Sequence, residues 1–212
     1  MINNIKIKKK YWDNFYQKKK LIFKNTNFSK FCAKFLKNYQ HLIIDIGCGN
    51  GRDTNFFLQK KFVCFGVDQS KKVITINKKK YVKFKKYFLN KDFSKINFDI
   101  YFKKKYSIYS RFSLHSINYK SELSFFNNLL KSKNLEYLMI ETRTIYDDLY
   151  GKGEKVGNHE YVTDHYRRFI EPEVLKKKLK KFKIIYFNIN KNLAKFKNEN
   201  PKVLRVIYKN VR

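Results

Sequence analysis

Apolar residues recur along the chain in two patterns, short runs that predict buried strands and helical spacings that predict amphipathic helices. The runs predict seven strands, at 41–46, 62–67, 86–90, 106–109, 137–140, 184–189 and 203–208. The helical spacings predict helices over 26–38, 52–60, 70–79, 121–132 and 171–182. Strands that alternate with helices in this order are typical of a mostly parallel sheet with helices on both faces, so the expected fold class is α/β.

Residues at the ends of these segments support their boundaries. Thr26 and Asn27 are N-cap candidates for the first helix, and Pro172 suits the first turn of the last one. Between the last helix and the strand before it, residues 144–168 are polar, contain three glycines and show no period. A loop of that length in a compact domain is usually functional or disordered. We expect one domain over residues 1–212, with N-terminal helices in 1–40.

A glycine turn follows the first predicted strand and opens a helix, in the sequence Gly47-Cys-Gly-Asn-Gly51. Glycines let the backbone approach a ligand closely, and the helix start presents free N–H groups. The third glycine comes one residue earlier than in the dinucleotide fingerprint, which argues against a pyrophosphate cofactor. Asp45, Asp68 and Asp92 end three successive strands, where they could bind an amino group, two ribose hydroxyls and an exocyclic amine. They predict a nucleoside ligand that carries positive charge and no phosphate.

Four segments in order resemble the motifs of class I S-adenosylmethionine-dependent methyltransferases: Leu42–Asp53, Phe65–Ser70, Lys91–Phe93 and Tyr109–His115. The resemblance covers residues 28–145, and the tail fits the last two strands of the family. It implies a Rossmann-like fold with a seven-stranded, mostly parallel sheet, helices on both faces and an antiparallel final strand. It also implies a methyltransferase that uses S-adenosylmethionine and releases S-adenosylhomocysteine.

The resemblance assigns a cofactor-binding role to residues of all four motifs: Asp45, Gly47, Gly49, Asn50, Gly51, Arg52, Asp68, Gln69, Asp92, Phe93 and Ser110. The glycines would lie under the methionine part and the ribose, and Asp45 near the amino group. Asp68 would bind the ribose. Asp92 and the backbone of Phe93 would lie near the adenine, and Ser110 beside the methionine end. Arg52 could bind the cofactor's carboxylate, or it could be a surface arginine at the start of a helix.

The fourth motif bears on the acceptor. Enzymes that methylate exocyclic amines often carry Asp/Asn-Pro-Pro-aromatic there, but the only prolines are Pro172 and Pro201. A cytosine-C5 enzyme needs a nucleophilic cysteine, commonly after proline, and no Pro-Cys pair occurs. Both observations disfavour a nucleic-acid base as the acceptor. His115 follows the fourth strand by about one helical turn and could be a general base, with a structural, packed histidine as the alternative.

The basic residues are 42 lysines and 7 arginines, so each arginine has better odds of a geometric role. Four arginines lie beside or within the 144–168 loop, where the family places acceptor-binding elements. They suit an anionic acceptor, and the alternative is a set of salt bridges with Glu141, Asp147, Asp148 and Asp164. The predicted substrate-binding residues are Arg111, Arg143, Tyr150, His165, Tyr166, Arg167 and Arg168.

Two short strings, Tyr109-Ser-Arg-Phe112 and His165-Tyr-Arg-Arg-Phe169, are similar to strings in bacterial small-molecule or surface-glycan methyltransferases. This similarity does not indicate a particular substrate. We expect methyl transfer to a small anionic or sugar-like acceptor, with O-methylation favoured. A metal held by Asp147 and Asp148 has no further support, so none is expected.

The net charge of +32 favours a different function, an RNA methyltransferase that uses its basic surface. Residues of A/T-rich codons, including Lys, Asn, Ile, Phe and Tyr, are abundant, so genome composition can explain much of the charge. The lysines are scattered, and we expect them to attract nucleic acid nonspecifically at low salt. A non-catalytic protein that keeps the cofactor fold is a third reading, which the intact acids and glycines disfavour.

The remaining composition bears on location. No apolar run of about 18 residues predicts a transmembrane helix, and the basic N-terminus lacks the apolar core of a signal peptide. The three cysteines form no Cys-x-x-Cys pair, which disfavours a disulfide framework or a zinc site. A cytoplasmic protein without membrane insertion is expected, and the sequence does not indicate its oligomeric state.

Overall fold

Strands and helices alternate along the chain, and the computed structural model describes residues 24–37, 41–196 and 198–211. The strands are β1 (Leu42–Ile46), β2 (Val63–Asp68), β3 (Phe88–Asn90), β4 (Tyr106–Arg111), β5 (Leu135–Arg143), β6 (Glu154–Gly157), β7 (Glu160–Val162), β8 (Tyr166–Arg168), β9 (Phe182–Asn190) and β10 (Val203–Asn210). The helices are α1 (Asn27–Leu36), α2 (Arg52–Gln59), α3 (Lys71–Lys80), α4 (Phe98–Phe102), α5 (Tyr119–Lys131) and α6 (Pro172–Lys178). Short 3-10 helices cover Val82–Tyr87, Phe93–Lys95 and Leu114–Ser116.

Seven strands form the main sheet in the order β3-β2-β1-β4-β5-β10-β9. Strands β1 to β5 are parallel, and β10 runs antiparallel to both of its neighbours. The predicted seven-stranded, mostly parallel sheet with an antiparallel final strand is therefore confirmed. The carboxyl ends of the parallel strands meet at one edge, where open α/β sheets bind ligands.

Alternate residues of the central strands supply two cores on opposite faces of the sheet. On one face, Ile43 and Tyr109 pack with Phe28 of α1 and Phe57 of α2. On the other face, the cluster includes Ile44, Ile108 and Leu138, with Phe125 of α5 and Leu175 of α6. Each fully buried large apolar side chain contributes about 1.5–3 kcal/mol. The helices therefore cover both faces, as predicted.

Local signals in the sequence fix where the helices begin. Thr26 caps α1, since its Oγ1 accepts a hydrogen bond from the Ser29 N–H at 3.1 Å, and Pro172 opens α6.

Of the N-terminal helices predicted in 1–40, residues 27–36 form α1, while 1–23 and 38–40 lie outside the described residues. None of the helices in the described part of the chain is both long and apolar enough to cross a bilayer.

The segment 144–168 is more regular than the loop that the sequence predicts. It contains a separate antiparallel sheet of β6, β7 and β8, which we call the meander (Glu154–Arg168). Its strands are three or four residues long, and β6 is largely exposed. Strands this short produce no hydrophobic period, which is why the pattern predicted a loop.

Candidate active site

The glycine turn at the end of β1 has the conformation that its glycines allow. Gly47, Gly49 and Gly51 have φ values of +64°, +53° and +70°. A Cβ on Gly47 would lie 2.6 Å from the Ser113 Cβ, and one on Gly51 would lie 2.6 Å from the Phe88 ring. Both the left-handed backbone and the close neighbours exclude a side chain at these two positions. The turn therefore keeps a small-residue cradle at the start of α2.

Asp68, the last residue of β2, holds the glycine turn from the side. Its Oδ2 accepts from the Gly49 N–H at 3.1 Å, and its Oδ1 accepts from the Ser70 N–H at 2.8 Å. The neighbouring Gln69 is half-buried. The carboxylate thus lies next to the turn at the carboxyl edge of the sheet, where the sequence predicted it.

Two residues of and after α3 also support the turn, and sequence reasoning missed both. The Asn77 side-chain amide donates to the Gly49 carbonyl at 2.7 Å, and the Tyr81 hydroxyl donates to the Asn50 carbonyl at 3.3 Å. Asn77 is fully buried. Its position on the inner face of a lysine-rich helix, beside Val73 and Ile74, was the signal that could have found it.

Asp45 lies deeper than the other two acids. It is 3% exposed, and its Oδ2 accepts from the Thr54 hydroxyl of α2 at 2.6 Å. Burial raises the pKa of Asp45 well above its ordinary value, the nearby Asp53 raises it further, and the Thr54 hydrogen bond opposes the shift. The structure therefore places Asp45 beneath the turn, bound to the helix that follows it. Arg52, the first residue of that helix, is half-buried.

Asp92 and Phe93 follow β3. The Asp92 Oδ1 accepts from the Ser94 N–H at 3.0 Å and the Ser94 hydroxyl at 2.7 Å, which caps the 3-10 helix at 93–95. The Phe93 ring packs edge-on against Phe125, with ring centroids 5.4 Å apart. Phe93 thus turns its side chain into the core and leaves its backbone at the strand end.

Ser110 is a residue of β4 and lies beside the start of the glycine turn. It pairs with Ile46 of β1 and Ile140 of β5 in the sheet, and its hydroxyl lies 2.7 Å from the Ser113 hydroxyl. Ser113 is the residue that a side chain at Gly47 would strike. The segment after β4 therefore packs directly against the predicted cofactor turn.

Phe112, which the sequence analysis did not assign to the site, lies between His115 and two arginines of the predicted acceptor site. Its φ is +53°, an unusual value for a bulky side chain, and its N–H donates to the Glu141 carbonyl at 2.9 Å. Its ring stacks on the His115 ring, with centroids 5.3 Å apart and planes 5° apart. The guanidinium carbons of Arg111 and Arg143 lie 4.5 and 5.9 Å from the Phe112 ring centre. A left-handed aromatic residue held in this way is typical of functional sites.

His115 lies in the 3-10 helix after β4 and is buried. No polar atom of the described residues bonds to its Nδ1. Burial lowers the pKa of His115 well below its ordinary value, and His165, Arg143, Arg167 and Arg111 lower it further. The ring is therefore neutral at physiological pH, as a general base must be before it accepts a proton.

The meander packs its last strand against the His115 segment. The Tyr166 hydroxyl donates to the Ile117 carbonyl at 3.3 Å, and the His165 and His115 ring centroids are 6.5 Å apart. The Arg168 guanidinium pairs with the buried Glu122 of α5, which ties the meander to the domain. Tyr150 precedes the meander in the sequence, and its hydroxyl is 2.8 Å from Nδ1 of His159, which is a residue of the meander.

The arginines at this edge are paired with acids. Arg111 Nε lies 3.0 Å from Glu141 Oε1, and Arg205 Nη2 lies 2.5 Å from Glu141 Oε2. Arg143 lies 2.8 Å from Asp147 and 2.6 Å from Glu199, and Arg167 lies 2.7 Å from Asp164. Asp148 is on the surface, 2.8 Å from Lys191. The structure thus brings the predicted acceptor residues Arg111, Arg143, His165, Tyr166 and Arg167 around His115, with their charges already partnered.

No family model matches the sequence, and no curated protein sequence matches it either. Solved methyltransferases are similar to it in fold. The glycopeptide N-methyltransferase MtfA, in complex with S-adenosyl-L-homocysteine, aligns with a TM-score of 0.64 and 12% identity over 88% of this chain and 90% of its own. An S-adenosylmethionine-dependent methyltransferase from Clostridium acetobutylicum ATCC 824 aligns with a TM-score of 0.63 and 16% identity over 95% and 91%.

A third similar structure is magnesium protoporphyrin IX methyltransferase (ChlM) from Synechocystis PCC 6803 with bound SAM. It aligns with a TM-score of 0.56 and 14% identity over 84% of this chain and 77% of its own. At such low identities the likeness concerns the fold. Together with the sheet order and the glycine turn, it shows that this chain has the Rossmann-like fold of the class I S-adenosylmethionine-dependent methyltransferases.

Proposed function

We propose that this protein is an enzyme that transfers a methyl group from S-adenosylmethionine to a small acceptor, with O-methylation favoured. The observation that carries the proposal is the cradle of Gly47, Gly49 and Gly51 flanked by the carboxylate of Asp68. Carboxylates at strand ends accept hydrogen bonds from hydroxyl and amino groups, and the helix start offers N–H groups. This donor and acceptor set fits a nucleoside that has no phosphate and carries a positively charged amino-acid group.

Each predicted cofactor residue keeps its proposed role. The three glycines and Asn50 would bind the methionine part and ribose, Asp68 and Gln69 the ribose hydroxyls, and Asp92 with the Phe93 backbone the adenine. Asp45 would lie beneath the amino group, Ser110 would border the methionine end, and Arg52 would reach the carboxylate. When bound, S-adenosylmethionine supplies an electrophilic methyl group on a sulfonium.

The chain's own residues would align the acceptor, exclude water and take a proton. The acceptor site proposed here lies at the carboxyl ends of β4 and β5, between His115 and the meander. His115 acts as the general base. The predicted wall of Arg111, Arg143, His165, Tyr166 and Arg167 surrounds it, while Tyr150 and Arg168 hold the meander. Glycines at 151 and 153, with φ of +80° and +85°, give the connection before β6 the freedom to close over the acceptor.

Two measurements test this function. Calorimetry should detect binding of S-adenosylmethionine and S-adenosylhomocysteine, and saturating ligand should raise the melting temperature by mass action. A deproteinised metabolite extract should then support release of S-adenosylhomocysteine, and nuclease treatment of the extract should not reduce it. Absence of binding, or release that requires intact nucleic acid, would contradict the proposal.

An RNA methyltransferase is the second candidate, because the net charge is +32. Nonspecific RNA binding should fall steeply as salt rises, since it depends on counterion release. Turnover of a small acceptor should survive salt that abolishes RNA binding. If methyltransferase activity and RNA binding disappear together as salt rises, an RNA methyltransferase becomes the better hypothesis.

A further inference from the structure

The Arg143 guanidinium already binds two carboxylates. Its Nη1 donates to Asp147 Oδ1 at 2.8 Å and its Nη2 donates to Glu199 Oε2 at 2.6 Å. The Arg143 side chain is 6% exposed. A bidentate grip on a ligand carboxylate or phosphate would use these same two nitrogens. An anionic acceptor would therefore have to displace acids that also repel it.

The surrounding arginines are neutralised in the same way. Four guanidinium groups (Arg111, Arg143, Arg167 and Arg205) face four carboxylates (Glu141, Asp147, Asp164 and Glu199). The formal charge of this group of eight side chains is zero. The cluster consequently offers little net attraction to an anion, although it contains most of the chain's arginines.

Two buried polar atoms at this site lack a hydrogen-bond partner in the described part of the chain and could accept a hydrogen bond from a ligand. His115 Nδ1 and Asp147 Oδ2 are buried, and neither has a hydrogen-bond partner among the described residues. The Asp147 carboxylate, which is paired with Arg143, can only accept. A buried polar atom without a partner is unfavourable, so a ligand that brings O–H groups would relieve it. A carboxylate group brings no such hydrogen.

A second imidazole lies beside His115. His165 Nδ1 is 2.9 Å from Asp164 Oδ2, a geometry in which Nδ1 carries the hydrogen and Nε2 is the basic nitrogen. The Asp164 carboxylate also accepts from Arg167 and Thr163. Burial would raise the pKa of Asp164, but these hydrogen bonds lower it overall, so it stays ionised and keeps His165 oriented. Burial and Arg167 lower the pKa of His165 despite Asp164, so this ring too is neutral at physiological pH.

We propose that the acceptor is an uncharged hydroxyl compound (an alcohol, a phenol or a neutral sugar) that gives its proton to the His115–His165 pair, and that the arginines hold the site together instead of binding an anion. This proposal rests on the proposed function. The hydroxyl oxygen forms the new O–C bond as the methyl carbon's bond to sulfur breaks. The bonding electrons leave with sulfur, which becomes a neutral thioether, and the hydroxyl proton goes to an imidazole nitrogen and then to solvent.

An acceptor screen sorted by charge tests the substrate class. A deproteinised metabolite extract is passed over a cation-exchange column and then an anion-exchange column, which gives an unbound, uncharged fraction and an anionic fraction bound to the second column. Each is incubated with the enzyme and methyl-labelled S-adenosylmethionine. We expect label transfer in the uncharged fraction, into a product whose methyl group is an ether by mass spectrometry. Transfer confined to the anionic fraction, or an N- or S-methyl product, would overturn the inference while leaving methyl transfer itself established.

Variants of the two imidazoles test the proton acceptor with a matched control. His115→Gln and His165→Gln should each lower kcat on the uncharged fraction, and loss of the base should lower kcat by about 100-fold or more. Groups facing the pair from β4, β5 and the meander are Arg111, Arg143, Arg167 and Asp164. The wild-type rate should therefore fall only below the ordinary histidine pKa of about 6.5. His41→Gln, at the amino end of β1 and paired with Glu136, is the control and should keep the wild-type rate.

A readout without turnover separates this inference from the proposed function. Calorimetry should show that both histidine variants bind S-adenosylhomocysteine as the wild type does. Imidazole NMR should show that His115 and His165 titrate below the free-histidine range in the wild-type protein. Normal cofactor binding with unchanged kcat in both variants would sink the base assignment alone. Loss of cofactor binding in the wild type would sink the proposed function.

Discussion

In the cofactor half of the strand-end cleft, around the turn at 47–51, the hydrogen bonds join residues 9 to 31 positions apart, as in Thr54–Asp45, Asn77–Gly49 and Tyr81–Asn50. In the acceptor half, around His115 and the meander, the contacts are mostly ion pairs. Two of them are local, Arg143–Asp147 and Arg167–Asp164, and others, such as Arg143–Glu199 and Arg205–Glu141, join residues up to 64 positions apart. One half is built from backbone conformation and the other from buried charge. The two should therefore respond differently to substitution and to pH.

The largest effect should come from the charge network of the acceptor half. Glu141→Gln leaves the Arg111 and Arg205 guanidinium groups facing a neutral amide in a buried site. Breaking a buried pair by removing one partner should lower the free energy of unfolding by about 3–5 kcal/mol. Urea denaturation measures this, with Glu154→Gln on the exposed strand β6 as a control expected within about 0.5 kcal/mol of wild type. Equal stability of the two variants would show that the network is not structural.

The cofactor half should respond mainly in binding. Asp68→Ala removes the proposed ribose-binding carboxylate, and the loss of a hydrogen bond to a charged group should weaken binding of S-adenosylhomocysteine by about 1.5–3 kcal/mol. That corresponds to roughly 10- to 150-fold in Kd by calorimetry. Asp148→Ala, at an exposed acid paired with Lys191, is the control. If Asp68→Ala bound the ligand with wild-type affinity, the ribose assignment would be wrong.

The same contrast explains what could be predicted from the sequence. Left-handed glycines and acids at strand ends leave local signatures, so Gly47, Gly51, Asp68 and the seven-stranded sheet were predictable. Asp147, four residues after Arg143, was among the acids considered as salt-bridge partners, whereas Glu199 was not, because nothing near residue 143 indicates that Glu199 returns beside it. Phe112 gave no signal either, since its left-handed backbone depends on a hydrogen bond to the Glu141 carbonyl across the sheet.

The two halves should also depend on pH with opposite signs. Burial raises the pKa of Asp45, so this group stabilises the folded state below its ordinary pKa of about 3.9, and that stability is lost as pH rises through the folded-state pKa. Burial lowers the pKa of His115, so its contribution is present above about pH 6.5 and is lost as pH falls toward the folded-state pKa.

A stability profile against pH measures these contributions. Each proton taken up on unfolding gives a slope of at most about 1.4 kcal/mol per pH unit. His115→Gln should flatten the profile below pH 6.5, and Asp45→Asn should flatten the opposite slope, which begins above about pH 3.9. His41→Gln is the control. A profile unchanged below pH 6.5 in His115→Gln would show that His115 is not buried in its neutral form.

The smallest effect should come from Thr26, where the local and long-range contacts meet. Thr26 caps α1, as the sequence predicted, and its N–H and hydroxyl also donate to the Asp53 carboxylate of α2 at 2.8 and 2.9 Å. The Tyr109 hydroxyl of β4 donates to the same carboxylate at 2.8 Å. Thr26→Ala removes the cap and one of these donors, so the free energy of unfolding should fall by about 1 kcal/mol.

A double-mutant cycle of Thr26→Ala with Tyr109→Phe decides whether this carboxylate joins α1 to β4 or only caps a helix. Both side chains donate to one oxygen, so removing the second should have a different effect once the first is gone, with a coupling of at least about 0.5 kcal/mol. Thr75→Ala, on the exposed face of α3, is the matched control and should show no coupling with Tyr109→Phe. Additive losses at Thr26 and Tyr109 would mean that the cap acts locally, and that α1 is held to the sheet by the packing of Phe28 and Phe57 around Tyr109 alone.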